Sequence, residues 1–233
     1  MNRNGPLQAR ELLFVGGIAA WGSVGLLLVQ LVVYMIWPPV HTVSELFDLL
    51  HRSPAVGLLS LDALYLVNNV LVLLFYLGLA ALLWPVSQAR VVLIVVLGTL
   101  QMGSYYASNP AVEMLVLARR HADAAGESER VMYRAAGEAV LTAWKGTAFL
   151  VYYVLGAAVL LILTTLIRRS RQLGPRTWWW ALAAGVLMLV PSTFGTVGIA
   201  FAIASLAPWS VLCLVAGRHL IRLAGDDSEP APA

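Results

Sequence analysis

The sequence predicts an all-α polytopic membrane protein, a bundle of about six transmembrane helices with interfacial helices in its extracytoplasmic loops. Three observations carry that prediction. Hydrophobic residues make up 60% of the 233 positions and charged residues 12%, and the mean hydropathy of +0.81 is one that no soluble single domain of this length sustains. The apolar residues fall into segments long enough to cross a hydrocarbon core of about 30 Å as helices. Arginines gather at the ends of those segments, where basic side chains act as topology signals.

Residues 1–223 read as one integral membrane domain, and 224–233, ending in DDSEPAPA, as an acidic, proline-rich tail with the composition of disordered chain. The single cysteine, Cys213, excludes an intramolecular disulfide, a CxxC motif and a Cys/His zinc site. The net charge of +3 does not point to nucleic acid, because the arginines flank apolar runs.

Span one, Leu12–Trp37, follows Arg3 and Arg10, yet it is longer than a signal-peptide core and lacks a small-x-small cleavage site, so it reads as uncleaved. Its Gly16, Gly17, Gly22 and Gly25 let another helix approach closely. Pro38 and Pro39 end it. In the connection HTVSELFDLLHRSP, Val43, Leu46, Phe47 and Leu50 share one helical face and predict a short interfacial helix, while His41 and His51 read as solvated.

Span two, Ala55–Trp84, contains Asp62, Asn68 and Asn69. At about 100° per residue, Asp62, Tyr65, Asn69 and Tyr76 form one stripe, and Asn68 points elsewhere. Pro85 and VSQAR lead into span three, Val91–Ala107, where Gln101, Tyr105 and Ser108 make a polar face and Gly98 leaves room for a neighbour. So short a linker makes spans two and three antiparallel neighbours.

Charge of both signs returns in Asn109–Gly137, which predicts a surface-lying helical hairpin. Pro110 and Glu113 suit its start, Val112, Leu115 and Val116 its apolar face, and Gly126-Glu127-Ser128 its break. It is either a solvated cap or a lid over a cavity. Span four, Glu138–Arg169, carries Lys145 about two turns inside, on a stripe with Glu138, Thr142, Tyr152 and Gly156. Arg168, Arg169, Arg171 and Arg176 fill the next connection. Span five, Thr177–Phe194, opens with Trp178, Trp179 and Trp180 as an interfacial aromatic belt, and span six, Val197–Ala216, holds Pro208 where it can kink the helix.

Placing the N-terminus inside puts Arg3, Arg10, Arg90, the four arginines after span four, Arg218 and Arg222 on one side. The expected location is therefore the cell (plasma or inner) membrane, multi-pass, with both termini cytoplasmic. Asp62 and Lys145 then lie at one depth, about 10 Å below the outer surface. Opposite charges in a low dielectric cost less together than apart, so an Asp62–Lys145 intramembrane ion pair is expected. It would centre an outward-facing polar pocket, with Tyr65, Asn69, Gln101, Tyr105 and Tyr152 as further ligand-binding candidates and Gln30 and Tyr34 in the same outer half. The same pair can equally be scaffold.

The run Leu166-Ile167-Arg168-Arg169-Ser170, then Leu173, Pro175-Arg176 and the tryptophans, then a final span with Pro208 and the ending Leu214-Val215-Ala216-Gly217, resembles a bacterial family of uncharacterised six-span membrane proteins. The resemblance is best over Val140–Leu223 and implies the six-span count. It implies no activity and no site residue.

Three functions fit these residues. The first is a pocket that binds or passes a small amphiphile or lipid-like molecule. The second is an embedded lipid- or isoprenoid-modifying enzyme with terpene-cyclase-like acid chemistry, in which Asp62 or Glu138 is the catalytic acid or base. No DDxxD, HExxH, GxSxG or P-loop accompanies them, so neither a metal nor a cofactor is predicted. The third is a regulatory or immunity partner of another membrane protein, docking through the glycines of span one. The expected partners are the bilayer, a small amphiphile or isoprenoid and a homo-oligomeric copy.

Overall fold

The computed structural model describes residues 5–38, 40 and 42–225. His41 and residues 226–233 of the predicted tail lie outside them. Ten helices and no strand are present among the described residues: α1 (Gly5–Ile36), α2 (Val43–Arg52), α3 (Pro54–Ser60), α4 (Ala63–Leu83), α5 (Gln88–Ser108), α6 (Ala111–Asp123), α7 (Glu127–Trp144), α8 (Thr147–Ser170), α9 (Thr177–Leu187) and α10 (Gly195–Gly225).

Five helical stretches are long and apolar enough to cross a membrane: Ala9–Ile36, Ala63–Leu83, Gln88–Asp123, Glu127–Ser170 and Gly195–Gly225. Met35, Phe194 and Val197 are each more than 60% exposed, which suits hydrocarbon better than water. The arrangement is compatible with a multi-pass membrane protein.

Three predicted spans are changed. Span two breaks at Leu61–Asp62, leaving α3 and α4. Span four breaks at Lys145–Gly146, where glycine has poor helix propensity, and α7 and α8 result. Span five is helical only over the 11 residues of α9, about 17 Å of rise, before turns that run to Gly195. Span six keeps its continuity, since α10 runs through the buried Pro208 to Gly225 and takes in the first residues expected in the tail.

The residues form two compact units, to both of which α1, α4, α5 and α8 contribute. Unit 1 holds the described residues up to Val24, Val70–Leu100 and those from Tyr153 on. Its helices meet through small residues. A Cβ on Gly78 would stand 2.9 Å from the Gly16 Cα, and one on Gly17 2.8 Å from the Gly217 carbonyl, so α1 lies backbone to backbone with α4 and α10. The glycines expected to serve a partner are thus taken up inside the chain at positions 16 and 17. Tyr76 packs over Gly98, in the space predicted there, and Trp209 meets Phe75 and Tyr76 edge-on. The Arg10 guanidinium donates to the Ala224 carbonyl at 3.0 and 3.2 Å, joining the start of α1 to the end of α10.

Unit 2, Gly25–Asn69 and Gln101–Tyr152, is built differently. Thr42 and Glu45 form a capping box at the start of α2, whose predicted face of Val43, Leu46, Phe47 and Leu50 is buried against Ala111, Met114 and Ala118 of α6. α6 and α7 pack as the expected hairpin, with Gly126 as the N-cap of α7. The apolar face predicted for α6 is displaced by one position. Val112 and Val116 are exposed and Leu115 is partly buried, while the stripe 111, 114, 118 is the face that meets α2.

Candidate functional site

Asp62 stands where α3 gives way to α4. Its φ of 59° lies in the left-handed region, which aspartate tolerates better than most residues because its short side chain can bond locally. Breaking a helix leaves carbonyls without amide partners. The Asn109 side chain meets one of them, Nδ2 donating to the Leu61 carbonyl at 2.9 Å, and Gln30 Nε2 adds a second donor, at 3.3 Å, to the Leu59 carbonyl, which also accepts the Asp62 N–H. The break is therefore held from both sides.

The carboxyl created there has a partner that differs from the one expected. The Tyr34 hydroxyl donates to Asp62 Oδ1. Lys145 is exposed at the C-cap of α7, its ammonium 5.8 Å from the Trp144 ring centroid, and its charge acts on Asp62 through space. The correction has a simple cause. At the break between α7 and α8 the Lys145 side chain is exposed rather than enclosed with Asp62. Burial pushes the Asp62 carboxyl up to about 6, against the lowering effects of the Tyr34 hydrogen bond and the Lys145 charge.

Around this carboxyl the structure gathers most of the predicted set. Tyr65 packs on Tyr105 with ring centroids 6.1 Å apart, and Tyr105 on Tyr152 at 5.1 Å. Phe149 lies against both Tyr105 and Tyr152. Tyr105 is within electrostatic reach of Asp62, Tyr152, Tyr65 and Tyr34. Asn69 follows Tyr65 by one turn of α4, and Gln101 precedes Tyr105 by one turn of α5. In an antiparallel pair with 65 beside 105, positions 69 and 101 fall at one level.

This layer is polar, buried and incompletely paired. Asn69 has no exposed surface, and neither its Oδ1 nor its Nδ2 has a hydrogen-bond partner. Gln101 Oε1, Gln30 Oε1 and the Tyr105 hydroxyl are likewise enclosed and unpaired, in side chains 2% exposed. Each such group costs about 1–3 kcal/mol when left unsatisfied. Asn68 Oδ1 is also buried and unpaired, although position 68 lies off the stripe of 65 and 69.

Glu138 is not brought into this set. It is exposed on α7 and offers its backbone carbonyl to Thr142, and the stripe drawn through Lys145 to Tyr152 does not survive the break between α7 and α8. The residues missed as site members are Tyr34, Gln30 and Asn109. The first two were visible as an i, i+4 pair on span one, whereas Asn109 gave only a loop signal.

Neither a family model, nor a curated protein, nor a solved structure matches the chain.

Proposed function

We propose that the protein is a multi-pass membrane protein whose unit 2 binds the polar end of a small amphiphile or lipid-like molecule at Asp62. One observation carries the reading: donors and acceptors on Gln30, Asn69, Gln101 and Tyr105 are buried without partners in the same unit as a carboxyl held by Tyr34. A bound molecule with hydrogen-bonding groups would satisfy them. The tyrosines beside Asp62 supply apolar ring surface together with polar tips, the mixture that ligand sites combine.

The six-crossing arrangement with both termini cytoplasmic belongs to the same proposal. The Arg10–Ala224 contact supports an even number of crossings, since it joins the start of the first long helix to the end of the last. The fifth crossing would then be completed by α9 together with residues 188–194. Arginine clustering supports a cytoplasmic placement of that end and an outward opening for the Asp62 end.

Native mass spectrometry in mild detergent, after extraction with endogenous lipids, tests the reading. Wild type is expected to carry a defined adduct that Asp62→Asn lacks; asparagine tolerates the same left-handed backbone, so folding is preserved. An identical spectrum from both proteins would sink the proposal. The enzymatic alternative, acid chemistry on an isoprenoid, draws on one specific observation: a carboxyl pushed up to about 6 retains a protonated fraction near neutrality. Turnover of the adduct by wild type and not by Asp62→Asn would favour it.

A further inference from the structure

We propose a second site, in unit 1, that holds an anionic phospholipid by its phosphate. A hollow of about 460 Å³ is lined by Leu13, Ala81, Leu82 and Leu223 with Gln172 and His219. Its apolar part suits an acyl chain, and its polar part is Gln172 and His219, with Arg10 and Arg222 close to its lining residues in the chain. Arg10, one turn before Leu13 on α1, donates to the carbonyl of Ala224, next to Leu223. Arg222 adjoins Leu223 in the chain and acts electrostatically on His219. The His219 Nε2 is enclosed without a hydrogen-bond partner.

The charge balance selects the headgroup. Among the described residues of unit 1 the ionised groups are Arg10, Arg90, the four arginines between 168 and 176, Arg218 and Arg222, against one carboxylate, the exposed Glu11. A phosphodiester with no compensating cation matches that field, and guanidinium groups bind phosphate through charge-assisted hydrogen bonds. The choline of a zwitterionic lipid would be placed among arginines.

Native mass spectrometry of the full chain, titrated separately with phosphatidylglycerol, phosphatidylcholine and inorganic phosphate, tests the site. Phosphatidylglycerol is expected to bind about tenfold more tightly than phosphatidylcholine, with inorganic phosphate not competing at equal concentration. Arg222→Gln and the hollow-filling Ala81→Leu should each weaken phosphatidylglycerol by about tenfold, whereas Arg130→Gln, at an exposed position of unit 2, should leave it unchanged. Equal affinity for the two lipids overturns the proposal, and this comparison needs only wild-type protein. So does competition by inorganic phosphate, which would mark a free-anion site, and so does full binding in both unit 1 variants.

Discussion

Unit 1 and unit 2 solve the same packing problem with different chemistry. In unit 1, α1 meets α4 and α10 through glycines, with the would-be Cβ positions of Gly16 and Gly78 each less than 3 Å from the other residue's Cα. Where surrounding lipid is as apolar as leucine, helices gain little from burying apolar area and associate through close contact instead. Unit 2 carries ionised groups of both signs, a capping box and an amphipathic α2 packed on α6, devices familiar from water-exposed domains. It also keeps most of the unpaired buried polar groups. Small-residue contact thus holds unit 1 together, whereas unit 2 encloses polar groups without pairing all of them.

Four measurements would break or sharpen this contrast. The largest effect is expected in the scaffold. Gly78→Leu drives a side chain into the Gly16 Cα and the Leu12 carbonyl, backbone atoms that cannot turn aside. It should cost about 3 kcal/mol or more, seen as loss of the monodisperse peak in size-exclusion chromatography; a normal profile would refute the close approach.

Next comes the Tyr34–Asp62 contact. Tyr34→Phe removes a hydrogen bond to a carboxylate and should lower stability by about 2 kcal/mol. Its pH dependence is more telling. A folded-state value of about 6 for Asp62 means that the folded protein holds this proton more tightly than the unfolded chain does. Its stabilising contribution is thus fully present below about pH 4 and is lost as pH rises through about 6. Thermal melting against pH should show that decline in wild type and a flat profile in Asp62→Asn. In Tyr34→Phe the window should move upward, because the lowering hydrogen bond is gone.

A smaller effect of opposite sign separates an empty site from a filled one. Asn69→Leu removes two unpaired buried amide atoms, so in delipidated detergent it should raise stability by about 1–2 kcal/mol. In native extracts it should lose the adduct. Destabilisation in delipidated protein would show that the amide is paired after all. The smallest expected effect is Gly103→Ala, within α5 in unit 2, where a new Cβ has no atom within 4 Å. Helix propensity alone should stabilise it by about 0.5–1 kcal/mol.

How much of this was legible in the sequence depends on whether the signal was local. The face of α2, the hairpin break before Glu127, the space beside Gly98 and the pairing of Tyr65 with Tyr105 follow from helical spacing and from a short linker that forces two helices together. For Lys145, a wheel drawn through Gly146 assumes a helix the chain does not keep. A wheel through Asp62 likewise assumes a helix that is broken there, and the carboxyl meets Tyr34 rather than Lys145. A charge is conspicuous in an apolar run, whereas the aromatic hydroxyl of Tyr34 is not.

By itself, then, the sequence determined the helical class, the apolar segments and which side chains share a face, since these depend on composition and on about 3.6 residues per turn. The tertiary structure decided where helices break and who meets Asp62. Those outcomes depend on residues far apart in the chain: Asn109 takes up the carbonyl freed at Leu61, and Gln30 adds a donor at Leu59 beside the Asp62 N–H.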